Sequence, residues 1–216
     1  MSLAAAAIGL MCSTSLTVTL SSAGRPIDRN QTTHEPRAKT TLTFLAGAAV
    51  GLGVHEAGHV VVGAALGAHP RVKGIHYGNI PFFAIDHDAT TRRKELAISS
   101  AGFWMQQAGS EWLLTTHPHL RDEREPFLKG VFAFHLAASA VYSVAAFGTL
   151  GPPERDTRGI AVSAGEHGVP EPAVGAIVLA PAALDVYRYY RPDAVWAKWA
   201  GRASKVAMIA LLFTVH

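Results

Sequence analysis

Two histidines and a glutamate fall within five residues of the chain, in the sequence HEAGH from His55 to His59. Residues four apart lie on one face of a helix, so His55 and His59 can present ring nitrogens to one metal ion. Glu56 is then placed to take a proton from a water at that ion. Zinc lowers the pKa of such a water from about 16 towards about 7. The motif therefore predicts a hydrolytic metal centre, with His55 and His59 as ligands and Glu56 as general base.

The sequence around this motif is apolar. The run LTFLAGAAVGLGVHEAGHVVVGAAL, from Leu42 to Leu66, extends for nearly 40 Å as a helix, whereas the hydrocarbon core of a bilayer is about 30 Å thick. Polar groups at that depth face a protein interior or a water-filled cavity and are functional by default. The alternative is that helix–helix hydrogen bonds satisfy the two histidines while Glu56 stays protonated.

Composition favours a membrane protein. Of the 216 residues 49% are hydrophobic and 16% are charged, against about 25% charged in soluble domains. The apolar residues form long runs, which predicts an all-α, multi-pass integral membrane protein with about five to six transmembrane helices in the lipid bilayer. We expect one metalloprotease-like domain over residues 1–216, with residues 40–190 as its catalytic core.

The expected membrane spans follow the apolar runs. Residues 1–22 fit a first transmembrane helix or a signal-like segment, and a small β-hairpin is expected around Val72 to Ile85, where short apolar pieces alternate with turn residues. Further spans are expected at Leu42–Leu66, Leu96–Thr115, Gly130–Leu150, Ala173–Leu184 and, as a short run, Val206–Val215.

Other function classes fit less well. The formal net charge of +3 is too small, and its Lys and Arg are too dispersed, for nucleic-acid binding. The single cysteine, Cys12, excludes an intrachain disulfide framework and a Cys-rich zinc site. A membrane di-iron oxygenase needs about eight histidines in several boxes, and apart from His55 and His59 this chain has scattered ones.

HEAGHVVVGAALGAHPRVKGI resembles the first active-site segment of the site-2 protease family of intramembrane zinc metalloproteases. SSAGF, from Ser99 to Phe103, is similar to that family's Ala-Gly-Pro segment, with Phe103 in place of proline. The resemblance covers Leu42 to Gly159. It implies a zinc-dependent endopeptidase that hydrolyses peptide bonds in or near transmembrane segments of membrane-protein substrates, which enter as extended strands.

A catalytic zinc site needs a third protein ligand and an open position. The resemblance implies an aspartate after a proline-rich segment, and GPPERDTRG offers Asp156. The family's Leu-Asp-Gly sequence is absent, since Arg155 and Thr157 flank this aspartate. We therefore predict Asp156 as the third ligand, while Asp185 in PAALDVYRYY and His135 remain alternatives.

Polar residues in the later spans have competing explanations. His135 fits a ligand, an oxyanion donor or a helix-packing histidine, and Gln106 and Gln107 fit substrate contacts or interhelical hydrogen bonds. The departures at Phe103 and around Asp156 leave a second function open: a non-catalytic membrane scaffold or regulator that retains a metal site. The sequence leaves open the substrate, the membrane orientation, the cleavage of residues 1–22 and the oligomeric state.

Overall fold

The computed structural model describes residues 37–77, 80–164 and 168–210, and within these ranges the chain is mostly helical with one small sheet. This confirms the expected class of secondary structure, including a hairpin directly after the HEAGH helix. The elements in chain order are α1 (Arg37–Ala65), β1 (Arg71–Tyr77), β2 (Ile80–Asp86), α2 (Arg92–Thr116), α3 (Pro126–Gly148), α4 (Asp156–Ser163), α5 (Glu171–Tyr190) and α6 (Val195–Ala210).

Two helices in the described ranges, α1 and α3, are long and apolar enough to cross a membrane. The expectation of five to six spans is therefore met only in part. The runs expected at α2 and α5 do form helices, but these carry charged residues such as Glu111 and Asp185. The described α6 has 16 residues, which at 1.5 Å each fall short of about 30 Å. The expected first span and residues 211–216 lie outside the described ranges.

Glycines bring α1 and α3 into close contact. A methyl group on Gly47 of α1 would collide with the carbonyl of Phe127, and one on Gly130 of α3 would collide with the carbonyl of Phe44. Small residues at such crossings let two backbones approach and gain van der Waals contact. This crossing fixes α1, the helix that carries the HEAGH motif, against α3.

Buried and half-buried charged side chains join α2, α5 and α6. Lys205 of α6 donates hydrogen bonds to Glu111 of α2 at 3.0 Å and to Asp185 of α5 at 2.8 Å. Arg188 of α5 also pairs with Glu111, and Arg202 of α6 donates to it at 2.8 Å. Asp185 is 1% exposed, and Lys205 and Arg188 offset part of the cost of burying its carboxylate.

The hairpin follows a tight turn at the end of α1. Gly67 has a φ of +71°, a left-handed conformation that glycine adopts at little cost and that commonly ends helices. β1 and β2 then pair antiparallel, with Val72 opposite Ile85. The predicted hairpin around Val72 to Ile85 is thus confirmed. Ala84, near the end of β2, is buried and lines a cavity together with Glu56 and His59.

Candidate metal centre

Three potential ligand atoms converge between α1 and the start of α4. Nε2 of His55 lies 3.3 Å from Nε2 of His59 and 3.1 Å from Oδ2 of Asp156, and Nε2 of His59 lies 3.5 Å from the same oxygen. A tetrahedral ion with ligand bonds of about 2.0–2.1 Å holds its ligand atoms about 3.3 Å apart. The three side chains therefore form a group that could hold a metal ion.

Each imidazole is oriented by an acceptor at its other nitrogen. Nδ1 of His55 lies 3.0 Å from Oε1 of Gln106, and Nδ1 of His59 lies 2.7 Å from the carbonyl oxygen of Ile98. Oxygen atoms of this kind only accept, so we assign the ring proton to Nδ1 in both histidines. In the neutral form of each ring the lone pair of Nε2 is then directed towards Asp156, as metal ligation requires.

A buried ion pair positions Asp156. The neighbouring Arg155 is 2% exposed and forms two hydrogen bonds with the carboxylate of Glu171 at the start of α5. Arg155 also donates to the carbonyl of Pro152 at 2.9 Å, and Thr157 donates to Glu171 at 2.9 Å. Asp156 is thereby held between two anchored neighbours at the first residue of α4.

The carboxyl group of Asp156 is surrounded in a way that favours its charged form. Burial by itself would raise the pKa of this carboxyl, but the positive charge of His59 and the hydrogen bonds that the His55 and His59 rings donate when they are protonated outweigh burial and hold the pKa well below its ordinary value. Ionised carboxylate is the form that binds metals. Asp185, the alternative third ligand, instead contacts Arg188 and Lys205 in the charge network.

Glu56 lies beside the ligand group without a full set of partners. It is 8% exposed, and among the described residues its Oε1 is buried with no hydrogen-bond partner. Such a carboxylate oxygen carries a free energy cost that a water or an ion in the adjoining space would relieve. Glu56, His59 and Asp156 all line one cavity of about 250 Å³.

The SSAGF segment of α2 forms one wall of the site. A methyl group on Gly102 would lie 2.5 Å from Nε2 of His59 and 2.6 Å from Nε2 of His55, so only glycine leaves that space open. Phe103 is fully buried, with its ring 5.6 Å from that of His55. Ser99 lies against Gly159 of α4, where even one added methyl group would collide with it. The segment thus packs against the helices that carry all three ligands.

Residues of the hairpin and of the segment before α4 also line the cavity. Ala84, Ile85 and Asp86 of β2 line one side of it, and Pro153 and Glu154 line another. His59 is only six residues from the end of α1, which places the ligand group about 9 Å from that end along the helix axis. The centre therefore lies near one end of the helical bundle, beside the polar loops.

The remaining candidates do not belong to the ligand group, although Gln106 contacts His55. Nδ1 of His135 forms a hydrogen bond with the hydroxyl of Ser110 at 3.1 Å, which fits helix packing, one of the three explanations considered for it. Gln106 makes the interhelical hydrogen bonds that were one of its two explanations, whereas Oε1 of Gln107 is buried with no partner among the described residues. Sequence reasoning missed two contributors, the carbonyl of Ile98 and the space at Gly102. A main-chain oxygen leaves no sequence signal, but glycine within SSAGF does.

Two imidazoles and one carboxylate form a ligand set that catalytic zinc sites use. The orphaned Oε1 of Glu56 and the open space at Gly102 are consistent with an ion and a water in this position. Comparison of the chain with protein-family models, with curated proteins and with solved structures found no match.

Proposed function

We propose that the protein is an intramembrane zinc-dependent endopeptidase that resembles the site-2 protease family. The observation that carries this proposal is the convergence of His55, His59 and Asp156 to ligand spacing, with the unpartnered oxygen of Glu56 in the same cavity. A helix–helix packing role for the histidines accounts for their Nδ1 bonds. It does not account for the buried oxygen of Glu56, which has no hydrogen-bond partner among the described residues, beside two Nε2 atoms and a carboxylate at ligand spacing.

The proposed membrane location rests on the exposed surfaces of the two candidate spans, α1 and α3. Val50 and Val61 of α1 are 46% and 65% exposed, and Val144 and Phe147 of α3 are 62% and 48% exposed. Large apolar side chains exposed together on helices of this length are typical of surfaces that face lipid. We infer an integral membrane protein in which these faces contact acyl chains and the polar site is enclosed by protein.

The chemistry follows from the roles of the side chains. A zinc ion bound by His55, His59 and Asp156 would act as a Lewis acid on a peptide carbonyl and on the attacking water. Glu56 accepts the water's proton as the water oxygen bonds to the carbonyl carbon, and returns that proton to the leaving nitrogen as the C–N bond breaks. The atoms balance, since one water is consumed and a new carboxyl and a new amine are released.

The strand that lines the cavity suggests how a substrate is held. Ala84, Ile85 and Asp86 belong to β2 and face the same space as Glu56, so an extended peptide laid along this strand would bring its backbone towards the ligand group. A transmembrane helix has to unwind locally to bind in this way. We therefore propose membrane-protein segments with weak helix propensity as the substrates.

Metal content and hydrolysis, measured on one preparation, test the proposal. The full chain is purified in detergent and reconstituted in phosphatidylcholine–phosphatidylglycerol vesicles with a panel of single-span peptides, and products are identified by mass spectrometry. We expect one zinc per chain and peptide cleavage in the wild type, with Glu56→Gln keeping the zinc but losing cleavage. Zinc binding without cleavage of any peptide would favour the non-catalytic scaffold instead. A wild type that takes up no metal would refute the metalloprotease.

A further inference from the structure

A single buried amide connects the candidate metal centre to the rest of the bundle. Gln106, in the middle of α2, is fully buried. Its Oε1 lies 3.0 Å from Nδ1 of His55 on α1, and its Nε2 donates to the main-chain carbonyl of His135 on α3 at 3.5 Å. One side chain therefore contacts both neighbouring helices directly behind a predicted ligand.

The partner on α3 determines which way this amide points. A main-chain carbonyl only accepts hydrogen bonds, so the NH₂ group of Gln106 has to face His135. The amide oxygen then has to face His55, where it also can only accept. The neutral His55 ring is consequently obliged to carry its one proton on Nδ1, which leaves the lone pair on Nε2.

The opposite tautomer of His55 has a ready partner. With the proton on Nε2, the ring would donate to Oδ2 of Asp156, which lies 3.1 Å away. That bond would occupy the lone pairs of two predicted ligands at once and would exclude a metal ion. Among the residues that the structure describes, the acceptor at Nδ1 is the group that favours the ligating tautomer over this closed arrangement.

We propose that Gln106 is a positioning residue that selects the metal-ligating tautomer of His55. The inference depends on the metal site of the proposed function, but not on peptide hydrolysis. His59 receives the corresponding support from the main-chain oxygen of Ile98, which no side-chain substitution removes. Gln106 is therefore the position where the support of a ligand can be changed without touching the ligand itself.

The adjacent residue provides a matched control. Gln107 lies on the same helix, is 5% exposed, and its Oε1 has no hydrogen-bond partner among the described residues. Replacing either glutamine with methionine keeps the length of the side chain and removes a buried amide. Only the change at Gln106 removes the acceptor at His55.

The test compares Gln106→Met, Gln106→Glu and Gln107→Met in the detergent-purified full chain. The zinc Kd is measured by competition with a chromogenic chelator, the visible spectrum of the Co²⁺-loaded protein reports the ligand geometry, and thermal unfolding without metal reports the fold. We expect Gln106→Met to raise the zinc Kd by about 10- to 100-fold and to alter the Co²⁺ spectrum. Gln106→Glu keeps an acceptor at Nδ1 and, as the neutral acid, a donor for the carbonyl of His135, so it should restore tight binding. Gln107→Met should bind zinc like the wild type.

Each other result removes the inference. An unchanged zinc Kd in Gln106→Met, or equal weakening in Gln106→Met and Gln107→Met, would show that Gln106 does not act through His55. Should Gln106→Met fail to fold, the glutamate variant decides alone, because a folded Gln106→Glu with weakened zinc binding contradicts tautomer selection. Tight wild-type zinc binding without peptide cleavage would refute the peptidase and leave this inference standing, whereas absence of zinc binding would overturn both.

Discussion

Gly102 on α2 lies against the ring of His59 on α1 so closely that a methyl group at this glycine would sit 2.5 Å from Nε2. The same methyl group would lie 2.6 Å from Nε2 of His55. Both nitrogens are the atoms predicted to bind the metal. The absent side chain at Gly102 therefore keeps open the space that the ligand atoms share.

Gly102→Ala should abolish stoichiometric zinc binding, because the added methyl group displaces both imidazoles from their shared position. Gly53→Ala is the control, since a methyl group there meets no atom within 4 Å. Zinc content of the purified variants checks the prediction, with thermal unfolding as a measure of folding. Equal zinc content in the two variants would contradict it.

Substitutions at the two candidate aspartates, Asp156 and Asp185, should affect different properties: the first metal binding and the second stability. Asp156→Asn is expected to lose most of its zinc affinity because it removes the only carboxylate in the ligand group. Asp185→Asn should keep the zinc. It should lower the free energy of unfolding by about 1–3 kcal/mol, because it replaces the charged acceptor of buried Lys205 with a neutral one. Zinc titration and chemical unfolding of both variants test this pair, and the reverse pattern would make Asp185 the third ligand.

Glu171 should affect the metal site from a distance. Glu171→Gln leaves the guanidinium of Arg155, which is 2% exposed, without its carboxylate, and breaking a buried ion pair in this way costs about 3–5 kcal/mol. Because Arg155 adjoins Asp156, we also expect weaker zinc binding. Arg158→Gln, at an exposed position on α4, is the comparison. If Glu171→Gln has the same free energy of unfolding and the same zinc affinity as the wild type, this ion pair does not anchor Asp156.

The crossing of α1 and α3 should tolerate no side chain at its closest point. A methyl group on Gly130 would lie 3.0 Å from the main-chain nitrogen of Ala48 and even closer to the carbonyl of Phe44. Gly130→Ala is therefore expected to destabilise the protein by about 1–3 kcal/mol. Thermal unfolding is compared with Gly74→Ala in β1, where a methyl group meets nothing within 4 Å. Equal thermal stability of these two variants would show that α1 and α3 do not approach so closely at Gly130.

The element pattern was largely predictable from sequence, and membrane crossing was less so. Apolar runs and turn residues located the helices and the hairpin, because both signals are local. Among the described residues they identified two helices that meet the length and composition of a span, whereas α2 and α5 combine apolar residues with charges that pair inside the bundle, as Glu111 does with Lys205. A run of apolar residues does not say whether its helix faces lipid or other helices.

The sequence by itself determined that His55 and His59 share one face of a helix with Glu56 beside them, because the period of the helix fixes that geometry over a single turn. The tertiary structure alone decided which aspartate joins them. Asp156 lies 97 residues beyond His59, and its approach depends on α4 packing against α2 at Gly159 and on the Arg155–Glu171 pair. Asp185 instead forms ion pairs with Lys205 and Arg188. Contacts over such separations arise from the packing of whole helices, which no local spacing specifies.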